Sequence, residues 1–160
     1  MRTPQHDEHG PPLQDLILSV FQLSNVLTAS GDRLVADLGL TSARWQVLGA
    51  VTLGPPQSVA SLARDLEVSR QNVQRIVNDL VRDGFVTFES NPKHRRAQLV
   101  VMTTQGAGVM AAAATRARPW AEHAGAALTP GDIDTARRVL HAIGAAVQGY
   151  DHHEPHEESA

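Results

Sequence analysis

Between residues 59 and 103 the spacing of apolar side chains changes once. That change restricts the fold more than any other feature of the 160-residue chain. Val59, Leu62, Ala63 and Leu66 recur at three- and four-residue intervals, as do Val73, Ile76, Val77 and Leu80. Each set forms one stripe on a helix of 3.6 residues per turn. After Gly84 the chain turns aromatic and β-branched: Phe85-Val86-Thr87-Phe88-Glu89-Ser90, then Ala97-Gln98-Leu99-Val100-Val101-Met102-Thr103. Asn91-Pro92-Lys93-His94-Arg95-Arg96 separates the two runs, which reads as a β-hairpin with a basic tip. No internal repeat of fixed period accompanies this pattern.

The flanks are helical. Leu13, Leu16, Ile17, Val20, Phe21, Leu27, Leu34 and Leu38 predict one amphipathic helix of about 25 residues, stopped by Gly39. Gly31 lies on its apolar stripe, where it would either break the helix or admit a close neighbour. Thr41 or Ser42 caps a shorter helix with Trp45, Val47, Leu48 and Val51, ended by Gly54-Pro55-Pro56. Ser58 and Ser69 cap the two helices that follow. From about Thr104 an Ala-rich helix meets Pro119, which is expected to kink or end it. A last helix has Thr129 as cap, Pro130 at its first position and Asp132 in its first turn. Its stripe is Ile133, Ala136, Val139, Leu140, Ile143 and Val147. The organisation expected is a disordered lead over 1–12, a helical region over 13–39 and 104–149 flanking a separate lobe over 41–103, and a disordered tail over 150–160. The fold class is mainly α with a small antiparallel β-hairpin.

The two helices within 59–80 match a helix-turn-helix, in which the small Ala63 lets the second helix cross close over the first. Glu67 stands where many such turns carry Gly. The outward face of the second helix holds Ser69, Arg70, Gln71, Asn72, Gln74 and Arg75 in its first two turns. Asn and Gln pair bidentately with adenine and Arg with guanine, and a recognition helix reads bases with its N-terminal residues. A merely solvated face would hold Glu and Lys equally well, and neither occurs at these positions. Just downstream, Lys93, His94, Arg95 and Arg96 form the hairpin tip, suited to a minor groove with its concentrated negative potential. Together these features describe a winged helix-turn-helix.

Charge agrees with a nucleic-acid partner once its distribution is considered. The net charge is −3, but the last eleven residues carry −4 and the first twelve −1, so the body between them is +2. Thirteen of fourteen basic residues are Arg, the side chain suited to bidentate contact with phosphate and guanine. There is no cysteine, which removes disulfides, thiol nucleophiles and Cys-ligated metal. No apolar run approaches the span of a bilayer and no signal peptide begins the chain, so a cytoplasmic protein without a membrane partner is expected. His152, His153 and His156 belong to the polar tail, read as adventitious metal binding rather than a site. No catalytic triad, carboxylate pair or phosphate-binding glycine loop is recognisable, so neither an enzyme nor a cofactor is expected.

The chain resembles the MarR family (multiple antibiotic resistance regulators) from about Leu13 to Tyr150. The resemblance rests on Thr41-Ser42-Ala43-Arg44-Trp45-Gln46-Val47-Leu48, on Val68 to Val77, and most on Asn91 to Arg96 followed by Val100-Val101-Met102-Thr103-Thr104-Gln105-Gly106. His94 takes the family's acidic wing position and Met102 its Leu position. The resemblance implies a homodimer built by the terminal helices and bound to double-stranded DNA at a pseudo-palindrome. It also implies repression relieved by a small lipophilic or phenolic effector. On the residues themselves, Trp45 reads first as core packing and second as a contact in an effector pocket, and Arg44 beside it is suited to a ligand carboxylate or to a DNA phosphate. Arg96 matches the more invariant wing Arg. The alternative is a winged helix that binds only protein.

Overall fold

The computed structural model describes residues 10–92, 94 and 96–151. Helix α1 (Gly10–Val35) runs into a 3-10 turn at Ala36–Leu38, followed by α2 (Ser42–Thr52), β1 (Gln57–Ser58), α3 (Val59–Asp65) and α4 (Arg70–Arg82). Strands β2 (Val86–Glu89) and β3 (Leu99–Met102) precede α5 (Thr104–Gly125) and α6 (Pro130–Asp151). The fold is the mainly helical one that the hydrophobic periods imply, with a small antiparallel sheet. None of the helices among the described residues is long and apolar enough to cross a membrane.

The chain divides into two compact units, Met1–Arg118 and Pro119–Ala160. The core of the first comprises Val35, Leu40, Val47, Leu48, Leu62, Val73, Val77, Leu80, Val86, Val100 and Ala113, all nearly or fully buried. In the second, α6 begins with a reciprocal capping box. The Thr129 hydroxyl accepts from Asp132 N–H at 3.2 Å, and Asp132 Oδ2 accepts from Thr129 N–H at 2.9 Å. The Thr129 hydroxyl, which donates to Asp132 Oδ2 at 2.6 Å, and after it the Thr129 N–H hold the Asp132 carboxyl below its ordinary value.

The expected caps form. Thr41, Ser58 and Ser69 accept from the backbone N–H of Arg44, Ser61 and Asn72 respectively. Thr41, not Ser42, caps α2. Ser42 is buried instead, its hydroxyl donating to Thr28 O at 2.8 Å and its N–H to Asp32 Oδ1 at 2.6 Å. Gly31 therefore marks a close approach and not a break: a Cβ there would lie 2.5 Å from Ser42 Oγ.

Four expectations need correction. First, Gly10, Pro11 and Pro12 lie in the first turn of α1 and not in a disordered lead, because proline lacks only an N–H that a first turn leaves unpaired. Second, of the two outcomes expected at Pro119, a kink or an end, the end does not occur: α5 continues to Gly125. Proline there removes one backbone bond, and the division into two units falls at this residue. Third, the sheet has three strands in the order β1-β3-β2, since Gln57 and Ser58 pair antiparallel with Val100 and Leu99. Fourth, α6 extends to Asp151, past the expected start of the tail. The expectations for Lys93, Arg95, residues 1–9 and the histidines at 152, 153 and 156 lie outside the described residues.

The turn between α3 and α4 closes by a Schellman motif: Val68 N–H reaches Ala63 O at 3.0 Å and Glu67 N–H reaches Arg64 O at 3.1 Å. Gly39 and Gly84 occupy the left-handed position of the same motif elsewhere, and here Glu67 does so at φ 54°. A side chain in that region costs about 1–2 kcal/mol. Glu67→Gly is therefore expected to raise stability by about 0.5–1 kcal/mol, after the extra freedom of an unfolded glycine is subtracted. A thermal melt checks this, and a lowered melting temperature would show that the Glu67 side chain contributes more than its backbone costs.

Candidate nucleic-acid interface

Helix α4 is sharply two-faced. Val73, Ile76, Val77 and Leu80 are buried against the lobe, and spacing alone then turns Arg70, Gln71, Gln74, Arg75 and Asn78 outward. These five line an open concavity of about 620 Å³. Neighbouring side chains hold one another: Gln74 Nε2 donates to Asn78 Oδ1 at 3.0 Å, and Arg75 Nη2 donates to Asn72 Oδ1 at 3.0 Å. Arg75 also lies 3.9 Å from Asp79, whose carboxylate Arg82 engages at 2.9 Å.

The hairpin places its base beside this face. A second cleft, of about 340 Å³, is lined by Arg70, Gln74 and Asn78 of α4 together with Arg96, Gln98 and Ser58. Of the six expected readers the structure thus brings Arg70 and Gln74 together with Arg96, while Ser69, Gln71, Asn72 and Arg75 do not line this cleft. His94 is exposed at the tip. Its N–H donates to Asn91 O and Asn91 Oδ1, both at 3.3 Å, and its carbonyl accepts from Ala97 N–H at 3.0 Å. Asn78 and Gln98 were not singled out in the sequence. Asn78 lies one turn beyond Gln74 on the same face, so extending the helical period would have found it. Gln98 precedes β3, and nothing local marks it.

Arg44 and Trp45 lie on α2 and line neither cleft. Trp45 is half-buried against the core. Arg44 forms an ion pair with Asp83 Oδ2 through Nη2, donates to Gly39 O at 2.6 Å through Nη1, and stands 5.8 Å from the centre of the Phe85 ring. The hydrogen bond from Arg44 holds the Asp83 carboxyl below its ordinary value. An effector carboxylate would have to displace Asp83 to reach this guanidinium. Among the described residues no group of three or more His, Asp or Glu is placed to hold a metal ion.

Residues 38–97 match the model of the MarR family. An uncharacterised protein of Mycobacterium tuberculosis is 37% identical over 134 residues, which cover 81% of this chain and 93% of that protein. The chain belongs to the MarR family. BadR of Rhodopseudomonas palustris, a transcriptional activatory protein, is 40% identical over 94 residues, 57% of this chain and 54% of BadR. MosR of Mycobacterium tuberculosis, solved in complex with DNA, has the same fold at a TM-score of 0.72 and 22% identity, with 83% of this chain and 96% of MosR covered. MarR-family proteins are DNA-binding transcription regulators, and the winged helix described above is the fold they share.

Proposed function

We propose that the protein binds a pseudo-palindromic operator as a homodimer, with one α4 in each of two successive major grooves and the wing tip in the flanking minor groove. The observation that carries this reading is the convergence of Arg70, Gln74 and Asn78 with Arg96 and Gln98 around one cleft. Base-reading amides and guanidinium groups share that face, and its first two turns hold no acid. Ser69, Arg70, Gln71, Asn72, Gln74 and Arg75 are the assigned readers, with Lys93, His94, Arg95 and Arg96 at the wing.

A second copy accounts for apolar surface that one chain leaves open. Helix α1 exposes Phe21 at 64% and Val26 at 63%, and α6 exposes Ile133 at 52% and Val147 at 51%. Faces of this kind mark protein interfaces. Leu140→Asp is expected to abolish the dimer by burying a charge on the α6 stripe, read by light scattering. A wild-type monomer at micromolar concentration would overturn this part.

Bound across a promoter, such a dimer excludes polymerase. We therefore take repression as its output, relieved by a small lipophilic or phenolic molecule that favours a conformation unable to fit DNA. BadR is named an activator, and a reporter on the chain's own promoter separates the outputs: deleting a repressor raises expression and deleting an activator lowers it.

Gln71→Ala or Asn72→Ala should relax specificity at individual base pairs, by about 1–3 kcal/mol each for a bidentate contact. Binding to a preferred duplex should also fall steeply with salt as counterions are released. A winged helix used only to bind protein would select no duplex sequence at any salt.

A further inference from the structure

The C-terminal end of α4 is tied to two other helices. From α2, Arg44 pairs with Asp83, with side chains only 17% and 33% exposed. From α5, Gln105 Nε2 donates to Asp83 O at 3.3 Å, and just before it Thr103 Oγ1 donates to Gly84 O at 2.6 Å. Arg44 Nε is buried without a hydrogen-bond partner among the described residues. A half-satisfied guanidinium in such a place is a poor source of stability, because the desolvation of an unpaired donor opposes folding. What the contact does supply is direction. A planar fork with two fixed acceptors, Asp83 Oδ2 and Gly39 O, and with Phe85 beneath it, permits one orientation of the helix end.

We propose that Arg44 and Asp83 are positioning residues for base reading, setting the tilt and rotation of α4 and hence the place where its N-terminal side chains meet the bases. The inference rests on base reading by α4. Gln71 and Asp83 are about 18 Å apart along the helix at 1.5 Å per residue. Over that lever a tilt of about 3° at the C-terminal end moves the reading end by about 1 Å, beyond the few tenths of an ångström over which a hydrogen bond keeps its strength. Random-sequence DNA, held through phosphates, is far less sensitive to such a shift.

The test uses the duplex that the wild-type full chain selects from a random-sequence library, and a scrambled duplex of equal length, at one salt concentration. The ratio of the two affinities is expected to fall about tenfold or more in Arg44→Met and in Asp83→Asn, as for the loss of one bidentate base contact. The double variant should fall no further than either single one, since both remove the same contact. Arg44→Lys keeps the charge, should restore part of the ratio, and serves in place of Arg44→Met if that variant does not fold. A lower melting temperature with an unchanged ratio overturns the proposal, as do single losses that add in the double variant. If the wild type selects a duplex and the ratio does not respond, only this inference fails. If it selects none, base reading fails, and this inference fails with it.

Discussion

Gly106→Ala is expected to lower the melting temperature by about 10 °C or more, from overpacking of about 3 kcal/mol against backbone that has no room to yield. A Cβ on Gly106 would fall on the carbonyl oxygen of Phe85 and lie 2.7 Å from Met102 Sδ. That carbonyl already accepts from Thr103 N–H and Thr103 Oγ1, both at 3.1 Å. Thr103 in turn caps α5 by accepting from Gly106 N–H at 3.0 Å. The added methyl would therefore separate the start of α5 from Phe85, in the turn between α4 and β2, and break the cap with it. Gly108, two residues on, has nothing within 4 Å of the place a Cβ would take. Gly108→Ala should therefore gain up to about 1 kcal/mol from helix propensity alone. Thermal unfolding of the two variants side by side should move in opposite directions. Similar shifts for both would mean that helix propensity, not the close approach to Phe85, governs Gly106.

Arg96→Ala is expected to reduce operator affinity by about a hundredfold or more near physiological salt, more than a lone phosphate contact supplies, because an Arg in a narrow minor groove acts in a concentrated negative potential. Its melting temperature should stay nearly unchanged, since an exposed side chain outside the core contributes within about 0.5 kcal/mol. Fluorescence anisotropy on a labelled operator and a thermal melt measure the two quantities separately. A loss of only about one unit of salt slope would reassign Arg96 to an ordinary phosphate contact.

What the sequence displayed was local chemistry. The caps at Ser58, Ser69 and Thr129, and that of α2 to within Thr41 or Ser42, were readable because the accepting side chain and the donor it serves lie within three residues. The buried face of α4 was readable because Val73, Ile76, Val77 and Leu80 fix its rotation, and the opposite face follows. Features closed over long separations left no such trace. Strand β1 is two residues long and exists only through pairing with Leu99 and Val100, some forty residues away. The Arg44–Asp83 contact spans 39 residues, so Arg44 read as a contact for an outside anion and not for Asp83. At Pro119 a strong local breaker left a kink or an end open, and the helix on either side of it overrode the end. Glu67 falls between these cases, since the position was marked in sequence but its left-handed backbone was not.

The order β1-β3-β2 leaves two open edges, and both are poor templates for a foreign strand. One edge is the two residues of β1, which lead directly into α3. The other is β2, four residues long, with exposed Thr87 and Glu89 and a charge at its end. Edges that are short and charged resist the edge-to-edge pairing that seeds aggregates. A chain that exposes apolar side chains on its helices, Phe21 and Val26 among them, therefore does so without also presenting a sheet that other chains can extend.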